Sequence, residues 1–112
     1  MNTQDKNTLY RLLAGKDLIA CGYEKLSLSA GAEALTIPTG ATYAELRLES
    51  DITTQVAARY LMLGAADLPT TSRGLALNNL DFFDINNGTN LVNFRIIQAT
   101  AGTHVLHIQY YK

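Results

Sequence analysis

The stretch Leu91-Val-Asn-Phe-Arg-Ile-Ile-Gln98, then Ala99-Thr-Ala-Gly102, then Thr103-His-Val-Leu-His-Ile-Gln-Tyr-Tyr111 decides how this chain is read. Two runs rich in β-branched and aromatic residues are joined by small residues ending in Gly102, and a glycine there can supply the positive φ that closes a hairpin. Phe94 and Ile96 on the first run, and Leu106, Ile108 and Tyr110 on the second, recur with a period of two. One face of the pair is therefore apolar and needs a second layer to cover it. The rest of the chain is expected to supply that layer.

Upstream the same period continues. Leu26 and Leu28 alternate with Lys25, Ser27 and Ser29, and Leu35 and Ile37 begin a strand that Pro38 stops, because proline cannot donate to a ladder. Ala44, Leu46 and Leu48 point one way, Tyr43, Glu45, Arg47 and Glu49 the other. Val56, Ala58, Tyr60 and Met62 mark a further strand, and residues 75–77 and 80–85 mark two more before the turn Asn86-Asn87-Gly88. Residues 64–74 carry the glycine, proline and hydroxyl content of a loop. At the other end Thr8 can cap a short helix with Leu9, Leu12 and Leu13 at i, i+3 and i+4 and Gly15 as its stop, and Leu18 to Cys21 reads as an edge strand or extended arm.

The expectation is an all-β chain: an antiparallel β-sandwich or jelly-roll-like domain of about 7–8 short strands with a short N-terminal helix or arm. Residues 1–22 are taken as the arm and 23–112 as the sandwich. At 112 residues this is one domain around one core. With 9 Lys plus Arg against 10 Asp plus Glu, no basic cluster exists to neutralise a row of phosphates, so direct nucleic-acid binding is not expected. The apolar runs are far below a bilayer span and residues 1–7 have no apolar signal core, so no membrane partner is expected and the chain is taken as soluble. Cys21 is the only cysteine, which excludes an internal disulfide. Charged residues at 17% and six tyrosines point towards a surface partly covered by other protein.

The search for chemistry finds no reactive set. His104 and His107, three apart on a strand, point to opposite faces and cannot share a metal. His104 lies in register with the inward Leu106 and Ile108. Asp81 and Asp84 sit in a carboxyl-rich turn without the alternation or distal glutamate of a calcium loop. Glu45, Arg47 and Glu49 share one strand face, where ladder ion pairs would contribute only tenths of a kcal/mol. No catalytic residue, metal or cofactor is expected.

Several segments, taken in order, resemble small all-β structural proteins of tailed bacteriophage virions: Leu35-Thr-Ile-Pro-Thr-Gly-Ala-Thr-Tyr-Ala44, Arg59-Tyr60, Leu68-Pro-Thr-Thr-Ser-Arg-Gly74, Phe94-Arg-Ile-Ile-Gln-Ala-Thr-Ala-Gly102 and Tyr110-Tyr111. The chain departs from that pattern at Leu61-Met62-Leu63-Gly64-Ala65-Ala66, apolar where the group carries a polar turn. The resemblance implies a noncatalytic virion component, made in the host cytoplasm, acting in capsid decoration or at a head-fibre base. A tail, neck or baseplate adaptor and a glycan-binding module that aids adsorption are the alternatives. The implied partners are the major capsid protein or other virion proteins, with self-association, a trimer foremost. The contact candidates are Leu9, Tyr10, Leu12, Leu13, Leu18, Leu63, Leu68, Tyr110 and Tyr111.

Overall fold

The computed structural model describes residues 18–112; the expected helix over residues 8–15, with Leu9, Tyr10, Leu12 and Leu13, lies outside them. Among the described residues, eight strands form two four-stranded antiparallel sheets. β1 (Ala20–Ser27), β3 (Tyr43–Ser50), β6 (Phe82–Asn86) and β8 (His104–Tyr111) make one, in the order β1-β8-β3-β6. β2 (Glu33–Ala34), β4 (Ala58–Leu61), β5 (Leu75–Leu77) and β7 (Arg95–Gln98) make the other, in the order β2-β7-β4-β5. The pairs β1·β8, β2·β7, β3·β6 and β4·β5 are all antiparallel, so the first four strands meet the last four in reverse order, which is the winding of a jelly roll. A short helix, α1 (Gly88–Asn93), links β6 to β7.

The period-two residues meet in the interior. Ala44, Leu46, Leu48, Ile85, Leu106, Ile108 and Tyr110 from the first sheet share one core with Ala58, Leu77 and Ile96 from the second. Between the layers Tyr60 stacks on Phe83 with centroids 4.7 Å apart, and both rings touch Phe94. Burial of these side chains is the main stabilising term, at about 25 cal/mol per Å² of apolar surface removed from water.

Two expectations are corrected. The runs around Gly102 are not a hairpin: β7 and β8 lie in opposite sheets, each flanked by two strands from elsewhere in the chain. Their apolar faces cover each other across the core, so the two runs themselves provide both layers. Gly102 is not among the glycines at positive φ. It is needed for space, because a Cβ there would lie 2.6 Å from Asp51 Oδ1 and 2.9 Å from Ile52 Cγ1. Second, residues 91–93 are helical rather than extended; Asn87 caps α1 by accepting the Thr89 N–H, and Phe94 ends it in extended backbone while inserting its ring into the core. Of the two readings of Leu18 to Cys21, the edge strand holds from Ala20, where β1 begins at the edge of its sheet. A bulge at Cys21 lets the chain keep pairing as far as Tyr111, and Ile19 and Lys112 exchange backbone hydrogen bonds of 2.9 Å beyond it.

Strand directions sort the connections between two ends. The links β1–β2, β3–β4, β5–β6 and β7–β8 gather at one end, where Ser50 pairs with His104. The links β2–β3 and β4–β5, helix α1, Leu18 and the C-terminal residues gather at the other, where Tyr43 pairs with Tyr111 and with Asn86.

Candidate functional site

The end that carries α1 also carries most of the exposed apolar side chains. The β4–β5 connection, residues 62–74, is braced from several sides. Gly64 N–H donates to the Asn93 carbonyl at 2.9 Å, and Thr70 and Arg73 exchange backbone bonds. The Arg59 guanidinium donates to the carbonyls of Thr71 and Gly74, and Arg73 pairs with Asp67 at 2.7 Å. So held, the segment presents Leu63 and Leu68 to solvent, Leu75 is exposed at the start of β5, and Val92 of α1 stands out next to Asn93. These are four of the seven exposed large apolar residues among the described residues.

The contact candidates divide accordingly. Leu63 and Leu68 are exposed at this end, 55% and 43%. Leu18, Tyr110 and Tyr111 reach the same end but are buried within the fold. Tyr110 points into the core and donates its hydroxyl hydrogen to Glu24 at 2.6 Å. Tyr111 clusters with Leu18 and Tyr43 on the outer side of the first sheet, donating to Glu45, while Tyr43 donates to Asp84 at 3.0 Å. Burial raises the Tyr43 and Tyr110 phenols far above their ordinary range, and the carboxylates of Asp84 and Glu24 reinforce the shift.

A second feature, missed from sequence, is a groove of about 320 Å³ on the outer face of the β1-β8-β3-β6 sheet. Tyr23, Gln109 and Glu45 form one cross-strand row; Lys25, His107, Arg47 and Phe82 form the next. Among these, Tyr23 and Phe82 lie on the two edge strands and His107, Gln109, Glu45 and Arg47 on the central ones. The His107 ring is engaged at both nitrogens: Nε2–H donates to Glu49 Oε1 at 2.6 Å, leaving Nδ1 to accept the Tyr23 hydroxyl hydrogen at 2.6 Å. The Tyr23 and His107 rings stack with centroids 6.1 Å apart. Tyr23 is thus 63% exposed yet tied in place. Outward alternation on each strand was legible, but Tyr23 and His107 are 84 residues apart, and only the strand order puts them side by side.

The remaining polar candidates are occupied within the fold. His104 is buried, its Nε2–H donating to the Thr100 carbonyl at 2.6 Å and its Nδ1 facing the Ser50 hydroxyl at 2.8 Å, a strand-end role that pins the β3–β4 and β7–β8 links together. Asp81 accepts the Asn78 N–H and shapes the turn before β6. Glu45 and Glu49 bond Tyr111 and His107 rather than Arg47, which makes no ion pair with a described residue. Comparison with known proteins returns no matching family model, no matching curated protein and no matching solved structure.

Proposed function

We propose that this chain is a noncatalytic structural protein of a tailed-phage virion, a capsid decoration or head-fibre-base protein that docks through the α1 end of its sandwich. The observation that carries the reading is that four exposed apolar side chains, Leu63 and Leu68 on a braced loop, Leu75 at the start of β5 and Val92 on α1, all lie towards one end. Burial against a partner would remove the cost of leaving these groups in water. The jelly roll supports the reading because it gives a rigid body whose connections can vary without disturbing the core, and the resemblance of the 35–44, 59–60, 68–74 and 94–102 segments to phage virion proteins supplies the setting. Self-association as a trimer would multiply each weak contact by avidity.

The test is binding of the purified protein to empty phage shells, read by sedimentation, with light scattering for oligomeric mass. Leu63→Asp and Leu68→Asp are expected to leave folding intact and to weaken shell binding at least about tenfold, since each places a charge in an apolar contact. Wild-type protein that sediments with neither shells nor tail assemblies would overturn the proposal. Variants that bind as well as wild type would overturn the assignment of the surface.

A further inference from the structure

We infer that the outer groove of the β1-β8-β3-β6 sheet is a binding site for a carboxylated sugar, a hexuronic acid unit, with Arg47 holding its carboxylate and Glu45 and Gln109 its hydroxyls. The volume, about 320 Å³, lies at the lower end of the range of small-molecule sites and suits a mono- or disaccharide. Two groups within it lack the partners their chemistry calls for. The Arg47 guanidinium is exposed and makes no ion pair or hydrogen bond with a described residue, although Glu45 and Glu49 flank it on the same face. A planar fork of donors in that state matches a carboxylate two bonds at a time. Glu45 Oε2 is buried without a hydrogen-bond partner, its Oε1 being taken by the Tyr111 hydroxyl. A buried carboxylate oxygen of this kind calls for a donor, and a hydroxyl approaching from the groove reaches it by displacing the groups that shield it.

Together these demands narrow the ligand. A bare anion would satisfy Arg47 and offer Glu45 no donor, and a neutral sugar would leave Arg47 unused. A hexuronic acid carries an acceptor pair on one edge of its ring and hydroxyl donors on the other. Residues 45 and 47 are two apart on one strand face, about 7 Å along β3, which is the scale of one pyranose ring. Gln109, directly opposite Glu45, adds an amide able to donate and accept. The Tyr23 ring, tied by His107 and through it to Glu49, offers an apolar plate for the C–H face of the sugar without the entropy loss of fixing a free side chain. A single such site would be weak, and several copies on one oligomer or particle would raise the effective affinity. The inference stands independently of the virion assignment.

The test is a titration of the ¹⁵N-labelled full chain, followed by amide shifts, with methyl β-glucuronide and in parallel with methyl β-glucoside. Saturable shifts are expected at Tyr23, Glu45, Arg47 and Gln109 with the glucuronide, and at least about tenfold weaker binding of the glucoside, the effect of losing one charge-assisted bidentate contact. Arg47→Ala, on an exposed site where folding is retained, is expected to remove that preference, and Arg47→Lys to restore part of it. Shifts absent from the groove at millimolar glucuronide, equal binding of the two glycosides, or an Arg47→Ala chain that binds like wild type would each overturn the inference.

Discussion

Raising the pH above about 10 attacks this fold through two buried phenols. Tyr43 and Tyr110 are at most 1% exposed, and each donates to a carboxylate, so ionisation would strand a phenolate beside Asp84 or Glu24. Both are held far above their ordinary value, first by burial and then by those partners. In the unfolded chain they titrate near 10. Their contribution is therefore fully present below about pH 10 and is lost as pH climbs, because the native state retains protons that the unfolded state releases. Each phenol contributes about 1.4 kcal/mol per pH unit, so the pair gives a slope of about 2.7 kcal/mol per unit. Tyr60, also raised by burial, acts in the same direction. For a domain of this size, with an m-value near 1–1.5 kcal/mol/M, the urea midpoint should fall by roughly 2 M between about pH 10.5 and 11.5. The assay is urea unfolding by circular dichroism across that range, alongside tyrosinate absorbance. Tyr110→Phe should roughly halve the slope. A flat midpoint, or all the phenols ionising near 10 with the sheet signal intact, would refute the reasoning.

Other perturbations separate packing from conformation. Phe94→Ala removes a fully buried ring that joins Tyr60 and Phe83 between the sheets, and should destabilise by about 3–5 kcal/mol in urea unfolding. Gly102→Ala drives a methyl group against Asp51 and Ile52 and should cost about 1–3 kcal/mol, while Gly31→Ala, whose nearest contact is 3.9 Å away, should stay within about 0.5 kcal/mol by the same measurement. Leu80 is half exposed with φ of 70°, a conformation that costs a leucine about 1–2 kcal/mol and an asparagine less. Leu80→Asn should therefore raise the melting temperature, and a fall would show that the Leu80 side chain contributes more by packing than its backbone loses by strain.

The groove and the exposed apolar end were legible to different degrees. Leu63 and Leu68 could be named because an apolar run, Leu61 to Ala66, interrupts a segment otherwise rich in loop residues, a local signal. The period of two places Tyr110 inward with Leu106 and Ile108, where it lies, although it is also among the contact candidates; Tyr111 could not be sorted in that way. Tyr111 follows the outward alternation of β8 yet is buried with Leu18 and Tyr43. The groove was invisible because Tyr23, Glu45, Arg47 and His107 come from three strands whose adjacency no local pattern encodes.

Sequence alone determined the all-β class, the inward set Ala44, Leu46, Leu48, Leu106 and Ile108, and the separation of His104 from His107 onto opposite faces. All of these follow from the two-residue repeat of a strand, a property of each segment by itself. Only the tertiary structure decided which strands are neighbours. Residues 95–98 and 104–111 looked like partners because a short link joins them, but that link crosses between the sheets, and each run instead pairs with strands distant in sequence. Local pairing there would have put both apolar faces on one side of a single layer, leaving other strands to cover them. Placing the two runs in opposite sheets buries both faces against each other, and that gain belongs to the whole chain.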